Sequence, residues 1–103
     1  MRPLVIPPAA QRDPDAVQML SAWIAERGLH CTMNIGMWRA QGVDEPAAWG
    51  TLLADVVRHL AAGTREETGA EPSTTVQAIV EALLEELGEP TSQAEGGFHP
   101  GNT

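Results

Sequence analysis

Two segments of the chain repeat apolar residues at intervals of three and four, and they restrict the possible folds more than any other feature. One extends from Trp49 to Leu60 and the other from Val76 to Leu87. This spacing collects apolar side chains on one face of an α-helix, and such a face is stable only when another element covers it. The sequence therefore predicts two helices that pack into a core.

Capping residues predict where these two helices begin and end. Asp44-Glu45-Pro46 is a typical helix start, and Gly63 is the expected end of the first helix. Thr74 and Gln77 form the pattern of a capping box, which predicts the start of the second helix. Gly88, with a proline two residues later, predicts its end.

The apolar period changes between residues 13 and 35. Asp13-Pro14 predicts a helix start and Gly28 its end, with Val17, Leu20 and Ile24 on one helical stripe. From Leu29 onward the period becomes two, which is typical of a half-buried strand. The expected inward face carries Leu29, Cys31, Met33 and Ile35, and the expected outward face carries His30, Thr32 and Asn34.

A single strand leaves backbone groups unpaired, so this strand needs a neighbour. Leu4-Val5-Ile6 is the expected one, limited to an edge by the prolines beside it. The prediction is an α+β domain over residues 1–90, in the order β-α-β-α-α, with three helices packed on one face of a small sheet. Residues 91–103 are polar and turn-rich, which predicts a disordered tail.

Charge and composition exclude several functions. The formal net charge is −8, and the six basic residues do not cluster, which argues against nucleic-acid binding. No segment is apolar enough to span a membrane. A single cysteine, Cys31, favours a reducing cytoplasmic compartment. No paired metal-ligand spacing or nucleotide-binding motif occurs, so we expect neither a metal nor a cofactor. The absence of lysine beside abundant alanine, glycine and arginine is typical of a GC-rich bacterial genome.

The first long helix carries the strongest candidates for chemistry. Asp55 and His59 are four residues apart, so a carboxylate lies beside an imidazole that it could orient for proton transfer. Arg58 can instead form an exposed ion pair with Asp55, and such a pair contributes little to the stability of the fold. Cys31 would be a nucleophile only if His59 reached it, because His30 points to the other face of the strand. A solvated boundary pair and a core cysteine are the favoured interpretations.

The expected interaction surface is the strand from Leu29 to Ile35 together with Trp38. An unpaired strand edge invites pairing with a second copy, and exposed tryptophans often dominate interfaces. We therefore expect a homodimer through this strand, with Leu29, Cys31, Met33 and Ile35 covered and Trp38 nearby. An unknown protein partner is the alternative.

Residues 46–59, with their Pro-x-x-Trp-Gly and Leu-Ala-Asp-x-x-Arg-His spacings, resemble the domain of unknown function 5076 family. The resemblance extends over about Pro3 to Ala62. It implies a helix-strand-helix architecture and marks Trp49, Asp55, Arg58 and His59 without assigning roles to them.

These observations favour a protein-interaction or structural module. One alternative is a small enzyme or ligand-binding protein that uses Asp55, Arg58 and His59. Another is an acidic inhibitor that mimics nucleic acid, which would need the carboxylates of the last helix to join a continuous negative surface.

Overall fold

The computed structural model describes residues 1–90 and the backbone of residues 95–100. In chain order its elements are α1 (Pro8–Arg12), β1 (Leu20–Ala25), β2 (Gly28–Ile35), α2 (Met37–Ala40), α3 (Glu45–Thr68), α4 (Pro72–Gly88) and β3 (Glu95–Pro100). The α+β class predicted from the sequence is confirmed. Among the described helices, none is long and apolar enough to cross a membrane.

The helix predicted from Asp13 to Gly28 is wrong, because this segment contains β1 and a hairpin turn. Asp13 ends α1, and its Oδ1 accepts a hydrogen bond from the Asp15 amide, which makes a local turn instead of a helix cap. Glu26 and Arg27 then take φ angles of 50° and 65°. Two consecutive left-handed residues match the right-handed twist of the flanking strands and close a tight hairpin.

The neighbours of β2 also differ from the prediction. The strand order is β1-β2-β3, with β1 antiparallel and β3 parallel to β2. Leu4-Val5-Ile6, expected as the paired edge strand, lies outside any strand. The expected tail contains β3, whose backbone pairs His30 with Glu95 through Ile35 with Pro100. Residues 91–94 and 101–103 of that tail lie outside the described residues.

The two long helices form an antiparallel hairpin. α3 continues through Gly63 to Thr68, five residues beyond its predicted end, because one interior glycine costs only about 1 kcal/mol. Gly69, at a φ of 78°, ends it in the left-handed conformation, and its amide donates to the Arg65 carbonyl. α4 begins at Pro72 rather than at the predicted capping box.

Little of the chain is buried. Ala61, in α3, is the only buried apolar residue among those described, and no large side chain there is fully buried. α4 packs on α3, where the half-buried stripes are Val57 and Thr64 on α3 and Thr75, Val76 and Ile79 on α4. The radius of gyration is 15.5 Å, whereas a compact domain of this length has about 13 Å. The protomer is therefore more open than an isolated globular domain.

Candidate functional site

An open groove of about 1150 Å³ runs along one face of α3. The residues of α3 that line it recur mainly at three- and four-residue intervals, and the one lining residue from outside α3 is Trp38. The principal members of this α3 groove are Trp38, Leu52, Asp55, Val56, His59 and Leu60. Since one helix supplies nearly all of the lining, the groove is one side of a helix surface rather than an enclosed pocket.

Trp38 closes one end of the α3 groove. Trp38 lies in the short helix α2. Its ring packs edge-on against Trp49, with centroids 5.3 Å apart and planes at 83°. Such a T-shaped pair is favourable beyond the area that it buries. Trp38 is half-buried as a result, so part of its expected contact surface is already used within the protomer.

Glu45 fixes the position of α2 against the start of α3. Its carboxylate accepts hydrogen bonds from the Gly36 amide at 2.9 Å and from the Arg39 amide at 3.2 Å. Gly36 has no side chain to cap α2, so this carboxylate satisfies amides at the start of that helix. Burial acts to raise the pKa of Glu45, but these two hydrogen bonds, the Arg39 charge and a hydrogen bond with Trp49 lower it overall.

The structure brings two of the three predicted polar residues into the α3 groove. Asp55 and His59 both line it, whereas Arg58 lines a different cavity with Arg65, Glu66 and others. Arg58 also forms an ion pair with Asp55 whose side chains are 66% and 56% exposed. An ion pair this exposed stabilises little. The arrangement therefore offers polar contacts at the rim of an apolar surface, without the desolvation that activates a general base.

The predicted interface residues on β2 share one face of the sheet. In the β1–β2 register, Met33 lies opposite Leu20, Cys31 opposite Ala22, and Leu29 opposite Ile24. Residues directly opposite each other project to the same side, so this face is largely apolar. Pairing with a second copy along β2 is not available, because β2 is the middle strand and both of its edges are paired.

Cys31 and His59 line different cavities. Cys31 is half-buried and lines a cavity with Trp23 and His30, apart from the α3 groove that contains His59. His30 lies opposite Trp23 on the other face of the sheet, as the alternation predicts. Within the described part of the chain, no three His, Cys, Asp or Glu side chains come together where they could hold a metal ion.

Sequence reasoning missed Asn34 and Glu45. Asn34, expected on the outward face of β2, is only 5% exposed, and its Oδ1 has no hydrogen-bond partner among the described residues. Its Nδ2 lies 3.9 Å from the Met37 sulfur, which is a weak acceptor. The two-residue period gave no signal for this burial. Glu45 stood inside a recognised helix start, but nothing in the pattern connected it to amides up to nine residues earlier.

A family model and a solved structure each match most of the chain. A family model described as a domain of unknown function, DUF5076, matches residues 3–91. The chain is also similar to a solved structure of a protein named "putative pyruvate dehydrogenase", from the photosynthetic bacterium Rhodopseudomonas palustrus CGA009. The two are 28% identical, the match covers 91% of each chain, and the TM-score is 0.67. No curated protein matches the sequence.

Proposed function

Because the chain belongs to the domain of unknown function 5076 family, whose name supplies no activity, we propose a function from its surface: it is a non-catalytic module that binds protein through its two long helices. The observation that carries this proposal is a set of seven apolar residues, each 40–73% exposed. We define this set as the hairpin stripes: Leu53, Val56 and Leu60 form the α3 stripe, and Val80, Leu83, Leu84 and Leu87 form the α4 stripe.

The size of the exposed surface supports binding as its role. Together the seven side chains expose the equivalent of about three and a half whole side chains. Burial of one aliphatic side chain is worth about 1.5–3 kcal/mol, so covering both hairpin stripes would supply roughly 5–10 kcal/mol from this chain alone. Single exposed leucines are ordinary, whereas several apolar side chains exposed on successive turns of one helix are typical of interaction sites.

The α3 groove continues the α3 stripe, since Val56 and Leu60 belong to both. Asp55 and His59 then lie at the polar border of an apolar surface. Protein interfaces commonly have this anatomy, with an apolar centre and a charged rim. Their role in this proposal is to orient a partner, and rim charges of this kind affect association rates more than affinity.

Site-specific photocrosslinking tests the proposal. A photoreactive phenylalanine analogue placed at Leu60 should form covalent adducts with protein in cells that produce the chain, and the same analogue at Leu4 should form few. Leu4 is the matched control because it is 94% exposed and lies outside every helix and strand. Equal adducts at both positions, or none at Leu60, would contradict the proposal.

A ligand-binding role is the second candidate, favoured by the presence of Asp55 and His59 in the same groove. The name of the Rhodopseudomonas protein points to pyruvate as a probe. The carboxylates of Asp55, Glu66 and Glu67 line the groove, so an anion of this kind would be repelled there. Titration with pyruvate, followed by the NMR signals of the His59 ring, should therefore leave those signals unchanged. A saturable shift would favour this second candidate.

A further inference from the structure

The α3 groove lies on the side of α3 that faces away from α4. Leu52, which lines the groove, and Ala61, which is buried in the helix contact, are nine residues apart. Nine residues make about two and a half helical turns, so the two side chains leave α3 in opposite directions. No residue of α4 lines the groove. α4 therefore leaves this side of α3 uncovered over residues 48–68, a length of about 30 Å.

The α3 groove contains carboxylates and no arginine among its described lining residues. The carboxylates belong to Asp55, Glu66 and Glu67. Asp55 is already paired with Arg58, whereas Glu66 and Glu67 form no ion pair within the described part of the chain. The two arginines of α3, Arg58 and Arg65, line a different cavity, to which Glu66 also contributes. One end of an apolar groove thus carries two carboxylates without an ion pair.

The position of Glu66 and Glu67 is unfavourable for α3 itself. The helix ends at Thr68, so both glutamates lie in its last turn. The free carbonyl groups there give the end of a helix a partial negative charge, which disfavours carboxylates and favours basic side chains. A basic partner would replace this repulsion with attraction, and the charge of the groove therefore indicates what the groove binds.

We propose that the α3 groove binds a basic amphipathic helix of a partner protein. This inference rests on the proposed function and names the chemistry of the partner. Amphipathic helices bind in apolar grooves through side chains that recur every three and four residues. Leu52, Val56 and Leu60 lie four residues apart in the groove and offer contacts with that spacing. Lysine or arginine beside the apolar stripe of the partner would then lie near Glu66 and Glu67.

Charge distinguishes this partner from the other candidates. A second copy of the chain would bring a further net charge of −8, and its six arginines are scattered between residues 2 and 65. An anionic membrane surface attracts basic segments and would be repelled by the carboxylates of the groove. A basic amphipathic helix matches both the apolar and the charged part of the groove.

Titration with a designed peptide tests the inference. The probe is a peptide of leucine and lysine, about 18 residues or five turns long, whose leucines recur every three and four residues. The control peptide has glutamate in place of every lysine. In NMR titrations, the leucine–lysine peptide should shift the signals of the His59 ring and of the groove residues saturably, and the leucine–glutamate peptide should leave them unchanged.

A matched pair of charge variants tests the role of the two glutamates. E66Q/E67Q should raise the Kd for the leucine–lysine peptide about fivefold, as expected for the loss of two exposed ion pairs. E81Q/E85Q removes the same charge from α4, outside the groove. At about 0.15 M salt, charges more than about 8 Å away are screened, so this control should change the Kd by less than about twofold.

A second matched pair tests the apolar part of the groove. Val56→Gln places a polar group where the valine is 42% exposed, and it should raise the Kd at least about threefold. Val17→Gln makes the same change at a similar exposure of 49%, outside every helix and strand and outside the groove. This control should keep the Kd of the unmodified chain. If Val56→Gln loses its helical circular dichroism, Leu60→Gln replaces it in the same series.

Each other outcome overturns the inference. Equal binding of the two peptides would show that the groove does not select basic helices, and equal weakening by the two members of either variant pair would place the contact elsewhere. Binding of neither peptide also overturns the inference, yet the proposed function would survive if the Leu60 adducts contain another protein. Adducts that join Leu60 to a second copy of the chain would make self-association the role of the groove.

Discussion

The packing of α4 on α3 can be tested at Ala61, which is 1% exposed. The substitution Ala61→Leu adds three carbon atoms where two helices are in contact. At an exposed position those atoms would hardly change the stability. In a closed contact they force the helices apart or push the side chain off its preferred rotamer. Overpacking of this kind costs about 1–3 kcal/mol. We therefore expect the free energy of unfolding to fall by that amount, which lowers the melting temperature by roughly 5–15 °C.

The control is Ala62→Leu, one residue along the same helix and exposed. It makes the same chemical change with the same helix propensity, and surface changes usually alter stability by less than about 0.5 kcal/mol. Urea unfolding followed by circular dichroism measures both variants. Protein concentration must be equal, because stability depends on it if the chain associates. Equal unfolding free energies for the two variants would refute the assignment of Ala61 to the helix contact.

Three further predictions follow from other parts of the fold. Arg27→Gly should stabilise the protein by about 0.5–1 kcal/mol, since it removes a left-handed non-glycine residue from the hairpin turn, and a loss of stability in thermal unfolding would argue against that turn. Because the pKa of Glu45 is lowered from 4.5 in the folded protein, its stabilisation is present above that pH and is lost as the pH falls through the lowered value. Urea unfolding between about pH 3 and pH 6 should therefore show a pH-dependent loss that is smaller in Glu45→Gln, and parallel curves would disprove it. Asp55→Ala and His59→Ala should each change stability by less than about 1 kcal/mol, and a larger loss in the same urea assay would reveal a buried network.

The helices of the hairpin could be predicted from the sequence because a helix satisfies its backbone within the segment. The apolar period of residues 49–60 and 76–87 needed no knowledge of distant residues. The ends were less predictable, since Gly63 is tolerated inside α3 by the turns on either side of it. Gly69, only six residues later, has the positive φ that ends the helix. Because both residues are glycines, local sequence alone does not show which of them ends the helix.

β1 could not be predicted in the same way because a strand depends on a partner elsewhere in the chain. Val17, Leu20 and Ile24 fit a helical stripe, yet Leu20–Ala25 pairs with β2 along its whole length. The hydrogen bonds of β2 decided the conformation, and they are non-local. The same reason explains the error at Leu4-Val5-Ile6. The strand was expected there because β2 needed a neighbour, and β1 and β3 supplied two.

In the candidate site, contacts within one helix could be predicted from the sequence, whereas contacts between elements could not. Helical spacing correctly joined Asp55 to Arg58 and placed His59 near Asp55, because these distances are fixed by α3 itself. Nothing in the sequence indicated that Trp38 would close the end of the α3 groove. That position depends on the left-handed Gly36 and on the Glu45 carboxylate that holds the start of α2.

The apolar periods of α3 and α4 predict that other apolar side chains cover these helices, but the protomer covers only part of them. An apolar period of three and four residues indicates that something covers one side of the helix. It does not show whether a neighbouring element or a neighbouring molecule does so. In the protomer, α4 covers Ala61 and its neighbours but leaves Leu84 and Leu87 among the most exposed apolar residues of the helices. The sequence therefore carries the apolar pattern of a core that one chain does not complete.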